Sequence, residues 1–575
     1  MIKKSPWPKI IIAFLLFSWQ AEGQTICNPL NISYRFALTK PSRRTAADPC
    51  ITLFKDQYYL TATQSGGYWH SKDLDKWDFV TTKDLPLEID APTTVVMGDY
   101  LYYFPMNSHI IYRSKDPDSG KWEKATESFP LTVGDPDVFV DTDGRVYYYF
   151  GCSNNGYLQA VELDPNNDFK PMGKPINCII GNPSSHGWER FGDYNTLPDK
   201  PWIEASWVTK HDGKYYYQYS APGTEFKSYA DGYYVSNSPL GPFTYSPGSP
   251  FSSKPEGFIC GAGHSATFQD KYGNWWHIVS MSISVKDKYE RRLGLFPVTF
   301  DRSGNMVAHT EFGDYPMEIP DHKISDVSEL FPGWMLLSYK KLAQASSSLD
   351  SHRANLAFDE DVRDYWSAKT GNKGEWLTVD LGSQSTINAI QINFAENNTQ
   401  LLGRAGVRAQ QYLVECSADN KTWKMVIDQT RNEEDLTHQY HVMKNPVRAR
   451  YLKIVNYRVP DGTFAISGFR VFGTGNGKKP SKINSFDIAR DATDTRNIKL
   501  SWEKQADATG YNIRFGIAKD QLYRTYQVYG DTNLTIHSLN KDQEYWFAID
   551  AFGENGITRG SAQEPSIILM QKIQP

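Results

Sequence analysis

Five stretches between residues 48 and 280 share one alternation of apolar and polar positions. Each has a short strand pattern, a turn containing Gly, Asp or Asn, and a second strand rich in Tyr or Trp. They read DPCITLFKDQYYLTAT from Asp48, APTTVVMGDYLYYFPM from Ala91, DPDVFVDTDGRVYYYFG from Asp135, EASWVTKHDGKYYYQYS from Glu204 and HSATFQDKYGNWWHIVS from His264. Because one small sheet cannot bury both of its faces, this repeat predicts sheets stacked around an axis, which is a five-bladed β-propeller.

The pattern changes after the repeats. From about Leu337 to Gly473 the strands alternate densely without a helical period, which predicts a β-sandwich. The Gly- and Lys-rich stretch 475–482 (GNGKKPSK) predicts a linker, and a second sandwich pattern follows it. The predicted fold class is therefore all-β, with a propeller at 24–325 and sandwiches at 336–474 and 483–572.

Charge and the N-terminus narrow the class of protein. The net charge is −5 and no basic run is interleaved with aromatics, so nucleic acid is not an expected partner. Lys3, Lys4 and Lys9 precede the apolar run IIIAFLLFSW, which is too short to span a membrane, and small residues at Ala21 and Gly23 suit cleavage. We predict that residues 1–23 are a signal sequence of an exported bacterial protein, periplasmic or extracellular and monomeric.

The six cysteines form no CxxC pair and no HExxH occurs, so neither a zinc site nor a zinc protease is indicated.

The propeller pattern brings acids together. Asp48, Asp135 and Glu204 begin inner strands of different blades, and the corresponding ends of inner strands converge on the central channel. Carboxyl groups crowded into a partly dry cleft repel one another, which raises the pKa of at least one and leaves another ionised. Inverting glycoside hydrolysis requires this division between an acid and a base. Turn formation by Asp-Pro explains Asp48 and Asp135 separately but not Glu204.

An ordered set of motifs resembles glycoside hydrolase family 43 over about residues 25 to 320. The motifs are AADPCI, HSKDLDKW, GDPDVFVDTDG, IEASWV, SNSPLGPF and AGHSATF. The resemblance implies a five-bladed inverting enzyme acting on arabinose- and xylose-containing plant polysaccharides. It also implies that Asp48 is the general base, Glu204 the general acid and Asp135 the residue that orients Glu204 and keeps its pKa raised.

Four further positions are substrate-binding candidates through the same resemblance. His264 matches an axial His near the base of the pocket that ligates calcium in some members, with a structural role as the alternative. Asp90 stands where relatives often carry Trp and either binds a sugar hydroxyl or caps a turn. Arg292 is the candidate for a pocket Arg, with a surface salt bridge as the alternative. Trp207 belongs to the Ala-Ser-Trp that replaces a common Gly-Pro after the acid, beside the neighbouring subsite. The predicted chemistry requires no cofactor, and structural calcium is the one metal considered.

The two sandwiches also resemble known modules. YWSA, WLTVDLG and GFRVFG resemble a discoidin domain of the coagulation factor type, the fold of family 32 carbohydrate-binding modules; sugar binding and structural support both remain open for it. IKLSWEKQADATGYNIRF and the later LTIHSLNKDQEYWFAIDAFGENG resemble a fibronectin type III domain, with Trp502 in the core and Tyr545 as its tyrosine corner.

The expected function is release of terminal arabinofuranose from pectic arabinan or arabinogalactan by an exo-acting enzyme. β-Xylosidase, galactofuranosidase and exo-galactanase activities are alternatives, because pocket loops choose the sugar. A non-catalytic carbohydrate-binding protein is the alternative of another class. Related fructan-cleaving enzymes are retaining, and their Asn-Asp-Pro-Asn-Gly motif is replaced here by Ala47-Asp48-Pro49-Cys50-Ile51.

Overall fold

The structure, a computed structural model, describes residues 24–283, 285–403, 406 and 408–563. The predicted signal sequence lies outside the described residues. The described residues contain 41 strands and four short 3-10 helices, Pro117–Ser119, Gly187–Glu189, Val327–Leu330 and Ala354–Ala357, and no α-helix. The predicted all-β class is confirmed.

Five successive sheets form the blades of the propeller. The strands are Cys50–Phe54, Gln57–Thr61, Tyr68–Ser71 and Asp78–Val80 in blade one; Thr93–Met97, Tyr100–Phe104, Ile111–Ser114 and Glu123–Thr126 in blade two; Asp137–Val140, Val146–Phe150, Leu158–Asp164, Lys170–Pro171 and Ile176–Ile179 in blade three; Glu204–His211, Lys214–Ala221, Ala230–Ser236, Thr244–Tyr245 and Ser252–Ser253 in blade four; and Cys260–Gln269, Trp275–Ser282, Arg291–Phe300 and Met306–Ala308 in blade five. The innermost strand of each blade contacts that of the next, and blade five contacts blade one. The ring is therefore closed.

Aromatic side chains fill the space between blades. The second strands, Val146–Phe150 and Lys214–Ala221, are buried along almost their whole length, because they lie between two neighbouring sheets. Tyr149 and Tyr217 meet there with ring centroids 5.0 Å apart, and the Tyr149 hydroxyl donates to the Pro239 carbonyl at 2.6 Å. The Tyr-rich strands of the sequence therefore form the contacts between blades.

The second domain is built on one eight-stranded sheet. Its strands are Met335–Leu336, Leu342–Ala345, Trp366–Ser367, Trp376–Phe394, Gln411–Ser417, Lys424–Asp428, His438–Arg458 and Ala465–Thr474. Trp366 is fully buried in its core, whereas Trp376 is only partly buried. The domain is joined to the propeller by a buried ion pair, in which Arg44 Nε lies 2.7 Å from Glu396 Oε1. Arg470, which is held by Glu360 of its own domain through two hydrogen bonds of 3.0 and 2.8 Å, also donates to the carbonyl of Asp314 in the propeller at 2.6 Å.

The third domain consists of a three-stranded and a four-stranded sheet. The strands are Phe486–Arg490, Ile498–Trp502 and Asn533–Ile536, and Gly510–Gly516, Arg524–Tyr529, Trp546–Gly553 and Gly556–Thr558. Trp502 lies in the core between them. The hydroxyl of Tyr545 accepts the backbone N–H of Asn540 at 3.0 Å, as a tyrosine corner does. The sandwich is as predicted, and its assignment to the fibronectin type III domains stays a prediction.

Two short pairs complete the described strands: Gln24–Ile26 with Met317–Ile319, and Arg35–Phe36 with Arg44–Thr45. None of the described segments is a helix of the length and apolarity that crossing a membrane requires.

Candidate active site

In each of the five blades, one residue near the channel end of the inner strand has a left-handed backbone conformation. The residues are Asp48 (φ 51°), Ala91 (38°), Asp135 (46°), Ala205 (63°) and His264 (44°). Each lies two residues before an inner-strand residue paired with the second strand of its blade. Such a backbone costs about 1 kcal/mol or more for a residue other than Gly. Its recurrence at five equivalent positions indicates that closing the ring imposes it.

This register corrects one expectation from the sequence. Asp48 and Asp135 are equivalent, but the corresponding residue of blade four is Ala205 rather than Glu204. Glu204 precedes the left-handed residue, as Asp90 precedes Ala91 in blade two. A bulge between Glu204 and Trp207 accommodates the shift.

The predicted acids converge on one cavity of about 590 Å³ at the end of the propeller channel. Its lining includes Arg43, Asp48, Asp90, Asp135, Trp202, Glu204, His264, Tyr289 and Arg291. The volume lies within the range of small-molecule sites. The cavity thus unites all three predicted catalytic residues with His264 and Asp90.

Asp48 is surrounded by cations and hydroxyl groups. Arg291 Nη1 and His264 Nδ1 each lie 3.1 Å from its Oδ1. Thr63 Oγ1 donates to Oδ2 at 2.5 Å, and Ser280 Oγ donates to Oδ1 at 3.4 Å. Burial alone would raise the pKa of Asp48, but Arg291, His264 and these hydroxyls outweigh it and lower the pKa. Asp48 is therefore held as a carboxylate.

Glu204 has the opposite surroundings. Its side chain is partly exposed to the cavity and otherwise enclosed by protein, and Tyr229 donates its hydroxyl to Oε1 at 2.6 Å. Burial and the neighbouring Asp135 carboxyl raise the pKa of Glu204 to about 8, against smaller opposing effects of His264 and Tyr229. Glu204 is therefore protonated at neutral pH.

Asp135 connects the two acids. Its Oδ2 accepts the backbone N–H of Ala205 at 3.3 Å, which fixes the chain next to Glu204. Burial raises the pKa of Asp135, and Asp48 raises it further against the effect of His264. Asp137, two residues along the strand, lies outside the cavity lining and accepts the N–H of Val208 at 2.8 Å.

His264 lies beside all three acids. Burial would lower the pKa of His264, but Asp48, Asp135 and Glu204 together raise it. One ligand atom each of Asp135, Glu204 and His264 lie within 4.8 Å of one another. This set offers two carboxyl groups and one nitrogen, whereas Ca²⁺ takes six to eight oxygen ligands. The donors present do not fit calcium well, so no step is derived through a metal.

Asp90 lies in the cavity wall, where Gln64 Nε2 donates to its Oδ1 at 3.0 Å. Burial and the nearby Asp48 raise the pKa of Asp90. A carboxyl group facing the cavity at this position suits a sugar hydroxyl.

Two predicted binding residues lie elsewhere. Trp207 packs in the core between blades and donates Nε1–H to the Thr267 carbonyl at 3.0 Å. Arg292 is buried at the contact with the second domain, where its Nε donates to His438 Nε2 at 2.8 Å. Successive strand residues face opposite sides, so Arg291, not Arg292, reaches the cavity.

Sequence reasoning missed other lining residues, among them Trp202, Tyr289 and Arg43. Trp202 and Tyr289 are 37% and 46% exposed at the cavity mouth, where aromatic faces can stack on sugar rings. Arg43 is buried in the wall, and its Nε forms no hydrogen bond to any described residue. The only available signal was proximity, because Trp202 lies two residues before Glu204.

The loop that carries Trp202 is supported by the third domain. Gly187 donates its N–H to the Leu539 carbonyl at 3.0 Å, and the Ser185 carbonyl accepts the N–H of Lys541 at 2.7 Å. A Cβ at Gly187 would lie 2.2 Å from the Leu539 oxygen, so glycine is required for this approach. The third domain thereby braces one wall of the cavity.

Comparison with known proteins agrees with this architecture. Residues 41–306 match the glycosyl hydrolases family 43, and residues 343–466 match the F5/8 type C domain. The chain therefore contains a family 43 glycosyl hydrolase domain followed by an F5/8 type C domain.

Curated relatives of the first domain carry several activities in their names. The chain is 26% identical over 35% of its length to a β-D-galactofuranosidase of Aspergillus niger, of which the match covers 64%. It is 31% identical over 31% of its length to an arabinoxylan arabinofuranohydrolase of Paenibacillus polymyxa, of which 29% is covered. It is 34% identical over 26% of its length to a β-xylosidase of Xylanibacter ruminicola, of which 49% is covered. The chain thus spans less than two thirds of each relative.

Proposed function

Because residues 41–306 form a family 43 glycosyl hydrolase domain, we propose that the protein is an exo-acting, inverting glycosidase. Its proposed reaction is release of terminal arabinofuranose from plant polysaccharide side chains, pectic arabinan or arabinogalactan. The observation that carries the mechanism is the opposite shift of two carboxyl pKa values in one cavity: lowered for Asp48 and raised to about 8 for Glu204. Such a pair supplies a base and an acid at the same pH.

In the proposed reaction Glu204 gives its proton to the oxygen of the leaving sugar chain. Asp48 accepts a proton from a water molecule, whose oxygen attacks the anomeric carbon from the opposite face. One bond to that carbon forms as the other breaks, so the product has the inverted configuration. Asp135 holds the chain beside Glu204 and keeps its pKa raised, while Arg291 and His264 keep Asp48 ionised.

The choice of sugar is the finer part of the proposal. The names of the matched relatives support furanosidase activity on arabinose, with galactofuranosidase and β-xylosidase as alternatives. Exo-galactanase activity is a further alternative. A panel of nitrophenyl glycosides and plant oligosaccharides tests all of them. We expect the highest kcat/KM on α-L-arabinofuranosides. The proposal would be refuted if the protein hydrolysed neither pentosides nor galactosides.

Proton NMR of the first-formed anomer tests the mechanism independently. Inversion is expected, and retention would favour the double-displacement chemistry of the fructan-cleaving enzymes. Calorimetry that gave tight sugar binding without turnover would instead support a non-catalytic binding protein.

Two further expectations belong to the proposal. We expect the exported protein to be monomeric in light scattering. We expect EDTA-treated protein to retain its activity, because the acid–base reaction above uses no metal. A loss of activity that added calcium restores would show a required ion.

A further inference from the structure

We infer that a groove between the propeller and the second domain binds the sugar chain next to the bond that is cleaved. The inference rests on the proposed function. The groove has a volume of about 600 Å³. Its walls include Lys40, Ser42 and Lys286 from the propeller and Tyr365, Asn398 and Gln400 from the second domain.

The groove adjoins the mouth of the catalytic cavity. Two propeller segments supply both sites: residues 40–42 and 286 line the groove, while Arg43, Thr45, Lys288, Tyr289 and Arg291 line the cavity. The segments are joined by Arg43 Nε and Asp287 Oδ1, which are 3.6 Å apart, and by Thr45, which donates to the Tyr289 carbonyl at 3.2 Å. A substrate that leaves the cavity over this rim enters the groove.

The two walls of the groove are fixed to each other. Ser42 Oγ donates to the Leu401 carbonyl at 2.6 Å, and Lys286 Nζ donates to the Glu396 carbonyl at 2.7 Å. Arg44 Nε lies 2.7 Å from Glu396 Oε1 within the same contact. A site whose walls are already in place loses little ordering entropy on binding.

The chemistry of the lining suits sugar hydroxyls. Amide side chains both donate and accept hydrogen bonds, as hydroxyl groups do. Among the described residues, the side chains of Lys40, Asn398 and Gln400 form no hydrogen bond or ion pair, so they are available to a ligand. Tyr365 is held by stacking on His352 at 4.0 Å and by donating to Asn397 Oδ1 at 3.1 Å.

The mode of action identifies which part of the substrate reaches this site. In an exo-acting enzyme the terminal sugar occupies the cavity, and only the remaining chain extends past the rim. The groove therefore holds the aglycone side, one to a few sugar units beyond the scissile bond. The F5/8 type C domain contributes here to substrate selection as one wall of an extended site.

The test compares two substrates with the same terminal sugar on the full-length protein. The polysaccharide or oligosaccharide extends into the groove, and the nitrophenyl glycoside does not. For Gln400→Ala and for Lys40→Ala we expect the ratio of kcat/KM on the oligosaccharide to kcat/KM on the aryl glycoside to fall about 3- to 10-fold, with a larger fall in the double variant. Asn372→Ala, an exposed amide of the same domain outside the groove, is the matched control and should leave the ratio unchanged.

The outcomes separate the two proposals. An unchanged ratio in the double variant, in protein that cleaves both substrates, overturns the groove and leaves the glycosidase intact. Absence of turnover on any glycoside by the unmodified protein overturns the proposed function and the groove with it. A fall in the ratio for Asn372→Ala equal to that for Gln400→Ala also overturns the groove, because the effect would not be local.

Discussion

The blade-one and blade-four sides of the cavity hold carboxyl groups of similar chemistry in opposite surroundings. Asp48 faces Arg291, His264 and two hydroxyl donors. Glu204 faces another acid and a tyrosine hydroxyl. The unperturbed pKa values of Asp and Glu differ by less than one unit, so the residue types do not assign the roles. The neighbours do so, by lowering one pKa and raising the other.

The same comparison explains why Arg291 is placed beside Asp48 and not beside Glu204. A cation beside Glu204 as close as Arg291 is to Asp48 would favour its ionised form and remove the transferable proton. His264 lies near both acids and opposes the raised pKa of Glu204, but burial and Asp135 outweigh it. The division of roles is thus a balance between named groups, and substitutions of those groups should shift it.

The largest effect is expected for Asp48→Asn. Every substrate requires the activated water, so kcat/KM should fall about 1,000-fold or more on polysaccharides and on aryl glycosides alike. Steady-state rates on both substrates provide the measurement, and circular dichroism shows whether the variant folds. Retention of more than a tenth of the activity on either substrate would exclude Asp48 as the base.

Glu204→Gln should discriminate between substrates. The variant keeps the shape of the side chain but lacks the proton, so substrates with a poor leaving group should lose about 100- to 10,000-fold in rate. Aryl glycosides with a good leaving group should lose much less, because their departure needs little protonation. Equal losses on both substrate types would place the acid elsewhere and contradict the contrast between the two sides.

The repeats predicted the contrast only in part. Five strand–turn–strand units were enough to predict the blades and to bring Asp48, Asp135 and Glu204 to one place. They did not predict the left-handed residue of each blade, whose position shows that Glu204 is shifted by one residue. Backbone conformation of this kind follows from closing the ring, and no local pattern of residue types records it.

The sequence also could not show which of the two neighbouring arginines, Arg291 or Arg292, faces the cavity. Arg291 and Arg292 are neighbours of the same type, and only the pairing of their strand with Ser282 and Met281 determines which faces the cavity. A shift of one residue would exchange them. Trp207 was misjudged for the same reason, because the core and the cavity alternate along an inner strand.

Arg291→Gln tests whether this cation keeps Asp48 ionised on the blade-one side of the cavity. Without the cation the pKa of Asp48 should rise, which moves the acidic limb of kcat/KM to higher pH. The loss should be about 10- to 100-fold at low pH and smaller at neutral pH. Full pH profiles on an aryl glycoside provide the measurement.

The neighbouring residue supplies the matched control for that experiment. Arg292→Lys keeps a positive charge but weakens the buried contact with His438, so it should lower the Tm and leave the acidic limb in place. The reverse result, a shifted limb for Arg292→Lys and none for Arg291→Gln, would contradict the register of this strand.

The smallest expected effect is on the pH dependence of the free energy of unfolding, to which Glu204 and Asp48 contribute with opposite signs. The pKa of Glu204 is raised from 4.5 to about 8 in the folded protein. Between these values the folded protein holds a proton that the unfolded chain has lost, so this group makes the free energy of unfolding fall as the pH rises. Glu204→Gln removes the titration. The free energy of unfolding of the variant, relative to that of the unmodified protein, should therefore increase between pH 4.5 and 8 by an amount on the order of a few kcal/mol. The difference in Tm between the two proteins should increase over the same range.

Asp48 should show the reverse trend, because its pKa is lowered from 3.8 on folding. It contributes stability above that value, and the contribution is lost as the pH falls through the lower folded pKa. Asp48→Asn should therefore be less stable than the unmodified protein at neutral pH, and the deficit should shrink below about pH 3.8. Thermal unfolding of the three proteins from pH 3 to 9 measures both trends. If the Tm differences of the two variants followed pH in the same direction, the carboxyls would share one environment and the proposed acid and base would lose their physical basis.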